Sequence, residues 1–165
     1  MIRLLLLVFS AAMLSYSAPP DLSGKWFGEL KNYPLRADAP SVTVRREIER
    51  FPEADSACSA FRTTYFENGV ERAVKDYKFC RGKGADDFYI DEGDGTRLTA
   101  RWLGDALIAP FKYDNLLLVS VMRLRGDVLE EEIFTIPDSD SHKGVAPLVP
   151  KTLQRLELRR TPQKP

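Results

Sequence analysis

The sequence predicts an all-β fold, a closed antiparallel up-and-down barrel of about ten strands, and three observations carry that prediction. From Ser41 onward, short segments of alternating polarity are separated by Gly, Asp and Asn, and no stretch sustains a helical period. Turn signals recur between them at Asn68-Gly69, Gly93-Asp94-Gly95, Gly104-Asp105 and Gly126-Asp127. A meander of that many strands can close on itself, which removes the aggregation-prone edges an open sheet would leave.

Taken in order, Met1 to Ser17 carries one basic residue, Arg3, then the apolar run Leu4 to Phe9, then small residues that fit cleavage before Ala18. Residues 1–17 are expected to be a secretory signal peptide and residues 18–165 a single barrel domain. A membrane anchor needs roughly 18 apolar residues in a row, and Ser10, Ser15, Ser17, Pro19 and Pro20 interrupt the run. The expected destination is secreted or periplasmic. Without the leader the chain has 23 basic against 24 acidic side chains, a net charge of −1. That balance argues against a nucleic-acid binder or a strongly charged membrane-surface protein, both of which need a basic excess, and fits a small neutral or amphipathic ligand.

Strands are expected over Lys25–Leu30, Ser41–Phe51, Ala57–Glu67, Val70–Cys80, Asp86–Glu92, Thr96–Leu103, Ala106–Lys112, Leu116–Arg125, Val128–Ile136 and Thr152–Arg159. On the second, Val42, Val44 and Ile48 share a face with Arg46 and Arg50, so two arginines are expected to point inward. A buried guanidinium is costly unless it is paired, so each meets an internal carboxylate or the acidic head of a ligand.

The third and fourth strands flank Asn68-Gly69. If residues pair when their numbers sum to 138, Cys58 faces Cys80, Arg62 faces Asp76 and Phe61 faces Tyr77. An exported chain meets an oxidising environment, so a Cys58–Cys80 disulfide is expected. A two-residue loop alone gives an odd sum, so this register requires a three-residue loop or a bulge. It turns Phe61, Thr63, Tyr65, Tyr77 and Phe79 inward beside Arg46.

Gly93-Asp94-Gly95 predicts pairing of Phe88 with Ala100 and Ile90 with Leu98, with Asp91 opposite Arg97 and Asp87 opposite Arg101 on the other face. Gly104-Asp105, as a type II′ turn, pairs Trp102 with Leu107 and Ala100 with Ala109. Glu130, Glu131 and Glu132 alternate on the ninth strand, and one assignment of faces turns Glu132 inward beside Val121 and Phe134. Leu116-Leu117-Leu118-Val119 is apolar on both faces, and a homodimer is one way to cover the outer one. The irregular stretches Lys31–Pro40 and Pro137–Pro150 are candidate lids over a barrel mouth. Asp138, Asp140 and His142 lack the Gly and the bidentate acid of a calcium loop, so no metal site is expected.

The pattern Leu22-x-Gly24-x-Trp26-x-Gly28, then Tyr33-Pro34, then Arg46-Glu47-Ile48-x-x-Phe51, resembles the amino-terminal pattern of nitrobindin-like and lipocalin-like calycins over about the first third of the mature chain. The ending Leu156-x-Leu158-Arg159-Arg160 is also similar. The resemblance implies that Gly24 and Trp26 sit at the closed end of the barrel, that a basic residue, assigned to Arg159, closes near Trp26, and that the open end admits an apolar ligand. Nitrobindins hold haem through a His on the last strands. Here Leu153, Gln154 and Arg155 supply none, and the only His is His142, so no haem or other cofactor is expected.

These readings make Arg46, Phe61, Tyr65, Tyr77 and Trp102 the candidate ligand-binding residues, with no catalytic residue assigned. The expected function is an exported lipocalin-like barrel that binds a small hydrophobic molecule, with an acidic head a further option. Two alternatives stand beside it. One is a barrel enzyme of cyclase or isomerase type using Tyr65, Tyr77 and Glu131 or Glu132; the other is a structural or envelope-interaction protein with a filled core.

Overall fold

The computed structural model describes residues 19–84, 86–138 and 147–162. The expected leader, His142 and Asp140 lie outside the described residues. Ten strands follow one another: β1 (Gly24–Tyr33), β2 (Val42–Ile48), β3 (Cys58–Glu67), β4 (Val70–Arg81), β5 (Asp87–Asp91), β6 (Arg97–Leu103), β7 (Ala106–Tyr113), β8 (Leu116–Arg125), β9 (Val128–Pro137) and β10 (Thr152–Arg160). Each pairs antiparallel with its neighbours in sequence, and β10 returns to β1 to close the barrel. The described residues contain no helix.

The hairpins form in the predicted registers for local reasons. Asn68 and Gly69 both adopt positive φ, 51° and 79°, the requirement of a type I′ turn. The turn pairs Glu67 with Val70, an odd sum, and a bulge between Tyr65 and Phe66 then shifts the ladder so that Arg62 meets Asp76, Phe61 meets Tyr77 and Cys58 meets Cys80. The two cysteines form a disulfide, with their Cα atoms 4.0 Å apart. Gly104 and Gly126 take positive φ, 64° and 61°, at the first central position of their turns, as type II′ requires. Trp102 accordingly faces Leu107, and Arg125 faces Val128. The β5–β6 pairs Phe88 with Ala100 and Ile90 with Leu98 also hold.

Two boundaries differ from expectation by more than one residue. β1 continues to Tyr33, so the first irregular stretch begins only at Pro34. β2 stops at Ile48, which takes Arg50 out of the sheet; it is exposed and pairs with Glu53 at 3.2 Å. Arg50 therefore does not point into the barrel, because pleat alternation applies only while the ladder continues.

Along the strands the buried inward-facing residues cluster toward the Trp26 end, and those toward the opposite end are half-buried or exposed. On β4 the series is Phe79 buried, Tyr77 half-buried, Lys75 and Ala73 exposed; on β8 it is Met122 buried, then Ser120, Leu118 and Leu116 half-buried. On β9 Leu129 and Glu131 are buried while Ile133 and Thr135 are half-buried. Leu22, Trp26, Phe61, Phe79, Phe88, Trp102, Leu107, Met122, Leu129 and Leu158 fill the buried end. The two irregular stretches, between β1 and β2 and between β9 and β10, both leave from the accessible end.

Candidate functional site

The buried end is sealed by its own polar contacts. The fully buried Trp26 donates its indole N–H to the Leu22 carbonyl at 2.9 Å. Arg160, from the last strand, lays its guanidinium over the Trp26 ring at 4.3 Å and donates to the Ser23 and Asp21 carbonyls. The basic residue that closes on Trp26 is thus Arg160, a correction to the assignment of Arg159. Alternation decides it: Arg160 pairs with Trp26 across the β1–β10 ladder, whereas Arg159 points outward to Asp127 at 3.0 Å. Gly28, opposite Leu158, lets β1 and β10 approach closely; a Cβ there would lie 1.9 Å from the Glu157 carbonyl oxygen.

Where the buried end gives way to the accessible end, a polar cluster crosses the lumen. Arg46 on β2 is only 3% exposed, and Glu131 on β9, three strands away around the barrel, is 7% exposed. Arg46 Nη2 lies 2.7 Å from Glu131 Oε2. Arg46 Nε donates to Thr63 Oγ1 at 3.0 Å, and Ser120 Oγ donates to Glu131 Oε1 at 2.7 Å. Phe61 lies beneath the guanidinium, its ring centroid 5.1 Å away, a favourable placement for a cation. The ionic contact is short but not well aligned for a hydrogen bond, which leaves Glu131 Oε2 without a hydrogen-bond donor among the described residues; Arg46 Nη1, on the other arm of the guanidinium, is also buried without an acceptor among them.

The electrostatics favour full ionisation of this pair. Burial pushes the Glu131 carboxyl upward, but Arg46 and the Ser120 hydroxyl outweigh it and hold the pKa below the usual carboxylate range. Burial raises the Tyr65 phenol, with Arg46 opposing. Tyr77, nearer the mouth, is pushed up to about 12 by burial and by the neighbouring Glu92 carboxylate. Lys75 Nζ lies 5.9 Å from the centroids of both tyrosine rings.

Of the five candidate ligand-binding residues, Arg46, Phe61, Tyr65 and Tyr77 come together along β2–β4. Trp102 is separate from them in kind: it is buried with Phe51, whose ring centroid is 6.3 Å away, and its indole N–H has no partner among the described residues. The inward acid is Glu131; Glu132 faces outward and pairs with Arg155 at 2.5 Å, which corrects the assignment that turned Glu132 inward. Ser120 and Lys75 carried no sequence signal that set them apart. Leu156 and Leu158 alternate cleanly with charged residues on β10, and Glu131 sits opposite Leu156. That pairing identifies the inward acid once the β9–β10 register is known.

Among the described residues no group of three or more His, Cys, Asp and Glu side chains is placed to hold a metal ion, and no helix is long and apolar enough to cross a membrane. Compared with protein-family models, curated proteins and solved structures, the chain matches none.

Proposed function

We propose that the protein is an exported barrel, lipocalin-like in action, that binds a small hydrophobic molecule in the accessible half of its lumen. The observation that carries this reading is the graded exposure of inward-facing residues. Leu30, Ile90, Leu98, Phe111, Leu118 and Ile133 line the wall half-buried above a single polar cluster, and apolar walls with a few convergent polar groups describe a small-molecule site. The resemblance of the Gly24-x-Trp26 segment to calycins supports the same reading, and so does the way Trp26 and Arg160 close the opposite end. The Cys58–Cys80 disulfide supports export to an oxidising compartment.

Native mass spectrometry of the protein purified from its own host tests the proposal. The expected outcome is a bound species of a few hundred daltons that denaturation releases. Protein that carries nothing from the host, and shows no saturable uptake of apolar molecules, would sink it.

An enzymatic reading draws on the convergence of Tyr65 and Glu131 in one lumen. Acid-base catalysis works best with groups poised near the operating pH. Glu131 is held ionised below its ordinary range and Tyr65 is raised away from neutrality, so the cluster is better suited to holding a ligand than to moving its protons.

A further inference from the structure

We propose that the lumen selects ligands with a neutral head that both donates and accepts hydrogen bonds, such as a primary amide or an alcohol, over ligands with a carboxylate head. The inference rests on the lumen-binding reading above and specifies its ligand. It departs from the acidic head that an isolated inward arginine suggests.

Arg46 is not isolated. Its charge is balanced by Glu131 at 2.7 Å, and both side chains are at least nine-tenths buried. A carboxylate brought beside this pair gains attraction from Arg46 but meets the Glu131 carboxylate as well, and in a buried setting neither term is screened by water. The unfilled valences point the same way. Arg46 Nη1 has no well-aligned hydrogen-bond acceptor among the described residues, and Glu131 Oε2, whose ionic contact with Arg46 Nη2 is not a well-aligned hydrogen bond, keeps lone-pair capacity for a further donor.

A buried polar atom left without a partner forfeits the hydrogen bonds it would make in water, so a head group that fills both valences at once is favoured. An amide or hydroxyl can accept from Arg46 Nη1 and donate to Glu131 Oε2; an ester can only accept, and a carboxylate has no proton to donate. Tyr65, a phenol that is neutral at neutral pH and whose pKa burial raises further, adds a neutral hydrogen-bonding group near the guanidinium. Lys75, on the inward face of β4 nearer the mouth, is exposed, so its attraction for an anion is screened.

Isothermal titration of the full mature chain at neutral pH, with decanamide, 1-decanol, methyl decanoate and decanoate as probes of one chain length, reads the preference directly. Decanamide and 1-decanol should bind at least tenfold more tightly than decanoate, with methyl decanoate between them. Glu131→Gln leaves the arginine unbalanced and should reverse the order, improving decanoate at least tenfold relative to decanamide. Lys75→Met should leave decanamide affinity unchanged.

Decanoate binding wild type more tightly than decanamide, or all four probes binding equally, would overturn the inference while leaving the lumen-binding reading intact. No uptake of any probe would remove both. The wild-type ranking decides the matter even if Glu131→Gln does not fold.

Discussion

The two ends of the barrel are built from the same ten strands but use their inward-facing positions differently. At the end that holds Trp26, these side chains pack into a dry aromatic and aliphatic core, and the one polar atom of Trp26 is satisfied by the Leu22 carbonyl. At the other end the same alternation presents half-buried Leu, Ile, Phe and Tyr to a lumen floored by Arg46, Glu131, Thr63 and Ser120. Packing at one end removes apolar area from water and stabilises the fold; the other leaves that gain unrealised. The contrast locates stability in one half, and the proposed reading assigns binding to the other.

The largest effect should come from the ion pair at the boundary. Arg46→Met strands the Glu131 carboxylate in the lumen and should lower unfolding free energy by about 3–5 kcal/mol, whereas the double variant with Glu131→Met should recover most of the loss. Urea unfolding of the single and double variants measures both. Equal losses in the two would mean that the pair does not act as a unit.

Truncations in the two halves should separate next. Leu129→Ala, in the dry core, should cost about 2–5 kcal/mol, the usual range for a buried leucine. Leu118→Ala, half-buried in the accessible half, should cost under about 1 kcal/mol because less transfer free energy and no sealed cavity are involved. If both variants shift the urea midpoint alike, the two halves are packed alike and the contrast fails.

A smaller difference should separate the two tryptophans. Trp26→Phe loses the indole hydrogen bond to the Leu22 carbonyl, while Trp102→Phe removes an N–H that has no partner among the described residues. With similar volume lost at each site, thermal or chemical unfolding should show Trp26→Phe less stable by about 1–2 kcal/mol.

The smallest effect concerns pH. The folded-state pKa of Glu131 lies below its ordinary 4.5. Its contribution to stability is therefore fully present above that ordinary value and is lost as pH falls through the lowered one. Between pH 3 and 6 the urea midpoint should fall less steeply with acidification in Glu131→Gln than in wild type. Identical slopes would show that Glu131 is not held ionised by Arg46.

Much of this molecule was legible in its residues because hairpins are local. Asn68-Gly69, Gly93-Asp94-Gly95, Gly104-Asp105 and Gly126-Asp127 each carry the backbone freedom their turn needs, and each turn fixes the register of two strands. The β5–β6 and β6–β7 pairings follow from those turns, the Cys58–Cys80 register from the near-symmetric placement of the cysteines about Asn68-Gly69, and the inward placement of Arg46 from its alternation with Val42, Val44 and Ile48 on β2, all with no knowledge of the rest of the barrel. The conflict between an odd-sum turn and an even-sum disulfide register required a three-residue loop or a bulge, and the structure resolves it with a bulge at Tyr65/Phe66.

What only the tertiary structure decided lies where strands distant in sequence meet. The closure of β10 on β1 selected Arg160 over Arg159 as the partner of Trp26, since adjacent residues differ only in the face a ladder gives them. The end of the β2 ladder at Ile48 released Arg50. The faces of Glu131 and Glu132 could not be read from β8, whose Leu116 to Val119 run is apolar on both sides, and were set by the pairing of β9 with β10. Above all, that Arg46 is balanced by Glu131 is a contact across the lumen between residues 85 positions apart. No local pattern encodes it, because the strands between them must curve into a closed barrel before the two charges can meet.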